Sequence, residues 1–554
     1  MPPENPRKWR YTWEAQSHLP ILKLFLFTPN FNPSSSCNDL NVDLKFEKSL
    51  LEVTWKESQS QNVVSLLVPL PRVLVDLDSP VNFRALEDHI EVKIGLLLPV
   101  DHPIVSSFIS ELNSGDEIGE CFSYDGFIEP LSMDSDFKTL SSKGEVDFYC
   151  RNCVFKLTKR PTRCLVELPS INWTDVADNW FGACCCSFGE ISDKLVNKYV
   201  QTNRCAEGTF LLTSAAVILC KDDVAGFKSP EVDQIRKGDG HGFTEAAHDS
   251  DCHSGIDVCC ATDNPILHNS SLVPSVNLEK ESDLVNKACA EPAQLNREKP
   301  LSTSLGLDST KDATSECHCC AHNIPEVLKK QDTNQAVHLE ADQKSFLNCY
   351  LGNAFVFKSS SLSKDIDWID FACPQCSCIL GAYPSAGGTE PLDGGIRLLK
   401  CYISLSPSSD SPDDLFRKYT LERMFTNQLL DSAKDELSFR TVVKDLKNKS
   451  PMLHIVLLNP NSWCCTGYCS EDSAQYFVKM NLHPVVKVLF SHGHGSAAPD
   501  PRWIEQWDTK NRAEEMYMLG CVIKELINSI ECAKDAFPPS FNSHHGLSLS
   551  HIPT

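Results

Sequence analysis

Two short motifs, Cys150-Arg-Asn-Cys153 and Cys373-Pro-Gln-Cys376, constrain the fold of this chain more than any other feature. Two thiolates separated by two residues in a tight turn both reach one tetrahedral zinc at about 2.3 Å, and two such turns close a structural site. Each pair has an aromatic residue two places before its first cysteine, Phe148 and Phe371, and a strand-like run after its second. That context suits a zinc knuckle at the tip of a hairpin. If Cys150, Cys153, Cys373 and Cys376 share one Zn2+, the two halves of the chain that carry them are packed together. The alternative is two unrelated pairs, one or both free of metal. A thioredoxin-like redox role lacks the βαβ context it needs.

Between the pairs the sequence changes character. From about residue 221 to 340, stretches such as HDSDCHSG and LSTSLGLDSTKDATSE are polar and rich in Ser and Asp, without sustained periodicity. Such a segment cannot bury enough apolar surface to offset its ordering entropy, and it reads as a long disordered insertion. The folded parts read as α+β: a β-rich N-terminal part and an α/β C-terminal part, joined through the CxxC/CxxC zinc site. The boundaries expected are a tail over 1–19, a β-rich domain over 20–220, the insertion over 221–340, strands around the second CxxC over 341–405, an α/β part over 406–545 and a tail over 546–554.

Periodicity supports those assignments. Val42, Leu44 and Phe46 alternate with polar residues, Leu51, Val53 and Trp55 do so again, and VVSLLVPL from Val63 and IEVKIGLLLP from Ile90 follow. The run IRLLKCYISL at 396–405 predicts one strand. Ser411 as N-cap, Pro412 at the first helical position and the acids Asp413 and Asp414 predict a helix whose apolar positions are Phe416, Tyr419, Met424, Phe425 and Leu429. A second helix is predicted from about Asn511, with Met516, Leu519, Ile523, Leu526, Ile527 and Ile530 on one packed face.

The charge balance limits the partners. With 74 acidic against 51 basic side chains the chain carries a formal charge of −23, which repels phosphate backbones and argues against direct nucleic-acid binding. No apolar run reaches the roughly 18–20 residues needed to cross a bilayer, and the first residues lack a signal-peptide core, so the expected location is the cytoplasm, the nucleus or both. In such a reducing compartment the 27 cysteines are metal ligands, reactive thiols or small buried hydrophobes rather than a disulfide framework.

Trp180-Phe-Gly-Ala-Cys184-Cys185-Cys186 is hard to explain by packing alone, because three adjacent thiols cannot share one face of a strand. It reads either as a loop that presents a thiolate to a metal or partner, or as a partly buried irregular loop; Trp173 lies just upstream. Cys317-His-Cys319-Cys320 with His322 sits in the polar tract without a surrounding fold, and Cys259-Cys260 and Cys464-Cys465 show no ligand spacing. Phosphate-binding, zinc-protease and serine-hydrolase signatures are missing, which leaves cysteine as the nucleophile class with suggestive numbers.

Taken together, FYCRNC at 148–153, LPSINW at 168–173 with Trp180, FACPQC at 371–376 followed by CILG, and the C-terminal helix running into FPPSF at 537–541 resemble the HECT-like ubiquitin-protein ligases that bind ubiquitin-conjugating enzymes. The resemblance covers roughly residues 20–215 and 345–545. It implies a ligase or ligase adaptor that works with a ubiquitin-conjugating enzyme and ubiquitin, with Phe416, Tyr419, Met424 and Phe425 contacting the conjugating enzyme. It also implies a thioester cysteine, for which Cys521 and Cys532 are the candidates. The tract holding Trp173, Trp180 and Cys184, Cys185 or Cys186 is similar to a family segment that enters the dizinc site of the pre-mRNA 3′-end-processing endonuclease. On that basis the alternative is a non-enzymatic inhibitor that caps this endonuclease.

Overall fold

The computed structural model describes residues 8–58, 62–105, 107, 130–168, 205–227, 352–359, 362–408, 411, 414–435, 437–469, 480–492, 513–542, 544 and 546–554. They belong to one unit, Met1–Ile235 with Thr333–Thr554; the other unit, Arg236–Asp332, lies outside the described residues. The unit is mixed α+β, rich in strands and with few helices among the described residues.

The 18-residue strand Pro451–Tyr468 organises the larger sheet. Its first stretch pairs with Arg440–Asp445, with Arg440 opposite Val456, and its second with Arg10–Gln16, with Trp13 opposite Cys465. Register shifts near Leu457, Asn459 and Ser462 fall between these stretches, where extra residues bend a strand. Beyond Arg10–Gln16 the sheet continues through Ile21–Phe27, Ile90–Gly95 and Asn82–Ala85. Beyond Arg440–Asp445 it continues through Glu514–Met518 and Phe357–Lys358. His483–His492 pairs with Pro451–Tyr468 and with Ser548–Pro553. A second sheet runs Asp367–Ala372, Ile379–Ser385, Gly395–Leu399, Ala216–Cys220, Thr209–Leu212, Cys164–Glu167. Both sheets therefore mix strands from before and after the polar tract, so backbone pairing, in addition to the cysteines, joins the two halves.

The alternating N-terminal pattern forms the three-stranded meander Cys37–Lys45, Leu50–Glu57 and Val63–Pro69. Its inward residues Leu51, Val53, Trp55, Leu66 and Val68 pack with Trp9, Trp13, Leu22 and Leu24 in one core. A larger core lies under the helices Met133–Lys143, Leu421–Asp435 and Gly520–Lys534.

Several expectations are corrected. The first 19 residues are not all tail: Tyr11, Trp13 and Ala15 alternate inward, and Arg10–Gln16 is an inner strand. At the other end Leu549 and Ile552 anchor Ser548–Pro553 in the same sheet. The last helix begins at Gly520 rather than near residue 511, because parallel pairing with Arg440–Asp445 draws Glu514–Met518 into the sheet despite its helix-like spacing. The residues after Ser411 do not run straight into a helix. Asp414 caps a short 3-10 turn, Leu415–Lys418, by accepting the Phe416 N–H; Tyr419 is extended, and Thr420 then caps Leu421–Asp435 through the Arg423 N–H. The run 396–405 breaks after Leu399 into a turn, Lys400–Tyr402, before Ile403–Ser404.

Candidate metal centre

Cys150 ends the two-residue strand Tyr149–Cys150, which pairs with Ile403–Ser404. Cys373 follows Asp367–Ala372, at the tip of its hairpin with Ile379–Ser385. The two knuckles repeat each other bond for bond. The Cys150 N–H donates to Phe155 O and the Val154 N–H to Cys150 O, both at 2.8 Å; the Cys373 N–H donates to Cys378 O at 2.8 Å and the Ser377 N–H to Cys373 O at 2.9 Å. In each, the residue after the second cysteine is left-handed, Val154 at φ 60° and Ser377 at φ 60°. For β-branched Val154 that is a genuine outlier, held only because its surroundings require the turn. Phe148 and Phe371 are buried and root the knuckles in the core. Gly226, at φ +77°, lies against the second knuckle so closely that a Cβ there would sit 2.3 Å from Pro374 Cγ.

These turns bring the Sγ atoms of Cys150, Cys153, Cys373 and Cys376 within 4.8 Å of one another. Cys150 to Cys376 is 3.7 Å and Cys153 to Cys373 is 3.6 Å. Four sulfurs at about 2.3 Å from one tetrahedral centre stand about 3.8 Å apart. The residues therefore fit a metal, and an all-sulfur donor set suits a soft or borderline cation. Electrostatics shows what binding would involve. Burial pushes the Cys150 thiol far up, and loss of hydration raises Cys153. Cys376 is instead lowered to about 6, first by the Cys378 N–H and then by the Asn152 side chain. In these surroundings one thiolate forms readily, and a cation would have to draw protons from its neighbours.

Around the centre lies a buried charged network that the sequence pattern did not reveal. Lys400 and Asp136 are fully buried and 2.8 Å apart, Lys418 Nζ is 3.0 Å from the other Asp136 oxygen, and the Tyr419 hydroxyl donates to Asp136. Lys400 Nζ also sits 4.6 Å from the Tyr419 ring centroid and 5.6 Å from that of Phe416. Burial lowers Lys400 to about 8. The available signal was a lysine and a cysteine interrupting the apolar run 396–405.

The four residues expected to contact a conjugating enzyme are in the core. Phe416, Tyr419, Met424 and Phe425 are at most 4% exposed. Phe416 stacks on Phe148 and meets Tyr419 edge-on, so these side chains serve packing and offer no partner surface in this structure. Cys521 and Cys532 are both exposed. With Glu525 and Asn528 they form one outward stripe of Gly520–Lys534, the two cysteines about 16 Å apart along the helix. The Cys521 surface is open, yet the crowding around its sulfur and then the Asp370 carboxylate push its thiol up. Trp173, Trp180, Cys184, Cys185 and Cys186, with the Cys317–Cys320 group and His322, lie outside the described residues. Cys464 is buried and Cys465 half-buried on the long strand.

Among the described residues no helix is long and apolar enough to cross a membrane. Neither the curated proteins nor the solved structures contain a match to this chain. Residues 309–549 match the family model described as HECT-like Ubiquitin-conjugating enzyme (E2)-binding. The match takes in the second knuckle, both long C-terminal helices and the strands between them, and leaves Cys150 and Cys153 outside. Over residues 309–549, this chain is similar to the HECT-like ubiquitin-conjugating-enzyme (E2)-binding family.

Proposed function

We propose that the protein is a ubiquitin-protein ligase that binds a charged ubiquitin-conjugating enzyme in the cytoplasm or nucleus and promotes transfer of ubiquitin to a substrate or to itself. The observation that carries this reading is the E2-binding family match over residues 309–549. Cys150, Cys153, Cys373 and Cys376 hold one zinc as a structural staple, a reading supported by their spacing and all-sulfur donor set. The zinc supplies cross-linking of the two knuckles and no step of the transfer.

Two routes of transfer are open to this geometry. In the first, the thiolate of Cys521 or Cys532 attacks the thioester carbonyl of the conjugating enzyme's ubiquitin. The conjugating enzyme's sulfur leaves as thiolate, and an acceptor amine later displaces the ligase sulfur. In the second, the ligase only orients the charged conjugating enzyme for direct attack by the amine. The exposure of both cysteines supports the first route, and the raised thiol of Cys521 favours the second. The deciding experiment is a single-turnover assay with charged conjugating enzyme. A reductant-sensitive ubiquitin adduct that disappears in Cys521→Ala or Cys532→Ala establishes the first route, whereas undiminished autoubiquitination in the double variant leaves only the second. Failure of the full chain to engage any conjugating enzyme of a broad panel overturns the ligase reading itself.

A further inference from the structure

Arg151 follows the first metal-facing cysteine and points away from the sulfurs toward the segment leading into the helix Leu421–Asp435. Its backbone N–H is fixed by Tyr402 O at 3.0 Å. Its guanidinium donates to four carbonyls: Tyr419 at 2.8 Å, Phe416 at 2.6 Å, Ile403 at 3.1 Å and Lys400 at 3.4 Å. The Asp414 carboxylate that caps the Leu415–Lys418 turn is 4.0 Å away. A guanidinium has five N–H donors in a rigid fork and no acceptor, so converging carbonyls are a socket that lysine cannot fill. The Tyr419 carbonyl lies just past the 3-10 turn, and the Phe416 carbonyl, which already accepts the Tyr419 N–H at 2.9 Å, takes Arg151 as a second donor. Arg151 thus ties the turn, and the buried Tyr419 behind it, to a knuckle whose shape depends on Cys150 and Cys153.

We propose that Arg151 is a positioning residue through which occupancy of the four-cysteine site fixes the Leu415–Lys418 turn and the helix Leu421–Asp435, so that recognition of a ubiquitin-conjugating enzyme is metal-dependent. The last clause rests on the E2-binding reading; the coupling itself does not. With a cation bound, the four sulfurs hold residues 150–153 in place. Without one, sulfurs this close repel as thiolates or separate as thiols, Val154 is released from its left-handed conformation, and the guanidinium loses the anchored backbone from which it reaches the turn.

The test is amide hydrogen exchange on the full chain, zinc-loaded or stripped with a chelator, with Ile21–Phe27 in the other core as internal reference. Stripping the wild type is expected to speed exchange across residues 414–435 at least tenfold and to leave the reference strand unchanged. Arg151→Met, still loaded with about one zinc, is expected to show the same loss, with little more on stripping, because effects through one link do not add. Arg151→Lys should recover only part of the protection. Lys156→Ala, which removes only an exposed ion pair to Asp147 beside the same knuckle, should keep all of it. Unchanged exchange on stripping, additive effects in Arg151→Met, an equal loss in Lys156→Ala, or loss of the reference strand overturns the coupling. If Arg151→Met does not fold, the stripped wild type and Arg151→Lys decide. In a pull-down with ubiquitin-conjugating enzymes, equal capture by loaded and stripped chain overturns metal-dependence. No capture by the loaded chain overturns the E2-binding reading, while the exchange experiment still decides the role of Arg151.

Discussion

Replacing Asp136 by Asn removes one negative charge from a site that holds two lysines. Asp136 and Lys400 are fully buried, Lys418 is nearly so, and the other groups around Lys400 Nζ are the Tyr419 hydroxyl at 3.2 Å and two aromatic rings. Removing one partner of a buried ion pair costs about 3–5 kcal/mol, because the remaining charge is neither hydrated nor paired. Lys400 has an escape, since it can lose its proton, and that sets a ceiling. The unfolded value is common to both proteins, so the extra cost in the variant is counted from the folded wild-type value of about 8: neutralising Lys400 costs about 1.4 kcal/mol more at pH 7 and almost nothing at pH 9. Burial has already lowered the value to about 8 in the native protein, so most of the cost of holding this lysine is present before the substitution. The sign follows directly. A lysine with a depressed folded value binds fewer protons folded than unfolded, so raising pH between the two values restores stability. The expected result for Asp136→Asn is a loss of about 1.5–3 kcal/mol in urea unfolding at pH 7, of which the Lys400 share, about 1.4 kcal/mol, is gone by pH 9. A loss below about 1 kcal/mol at pH 7, or one that does not change with pH, would refute the argument that this carboxylate neutralises buried charge.

How much of this could be read beforehand depended on whether a residue's neighbours lie close in sequence. The knuckles were legible because CxxC spacing and the flanking Phe148 and Phe371 determine a local turn, and the meander was legible because period-two alternation is also local. The pairing of Arg10–Gln16 with Pro451–Tyr468 was not, since no local pattern in RYTWEAQ names a partner more than four hundred residues away. Glu514–Met518 misled for the opposite reason: Met516 and Leu519 fit a helical spacing, and tertiary pairing overrode it. The stripe Phe416, Tyr419, Met424 and Phe425 is the sharpest case for function. An apolar stripe looks the same whether it faces a partner or a core, and only packing shows these four to be core. The four residues named from the resemblance fall within 309–549, the stretch the E2-binding family model matches, but the resemblance could not say which side chains reach a surface. Arg151 and Asp136 were missed because a charged residue in a polar segment carries no sequence mark of burial.

Three further outcomes are expected. Gly226→Ala forces a Cβ into Pro374 at a left-handed position, so it should lower the melting temperature and weaken zinc retention against a competing chelator; unchanged retention would mean the second knuckle does not depend on this contact. If the tract after Trp180 caps the 3′-end-processing endonuclease, replacing Cys184, Cys185 and Cys186 together by Ala should abolish inhibition of that enzyme and leave ubiquitin transfer intact, and retained inhibition removes the reading. The last concerns acid stability. His551 lies opposite Lys487 in the strand pair, with its ring edge-on to Phe537 and Glu14 nearby, and its Nδ1 is shielded from water without a hydrogen-bond partner. Burial lowers it to about 4, with Lys487 acting in the same direction and Glu14 opposing. The folded value is below the unfolded 6.5, so the unfolded chain takes up the extra proton in that window. The stability concerned is present above pH 6.5 and is lost as pH falls through about 4. Allowing for the part of the ring open to water, the loss is about 2 kcal/mol. His551→Phe should flatten the melting-temperature profile between those limits, and a variant profile that falls as steeply as the wild type would assign the acid sensitivity to other groups.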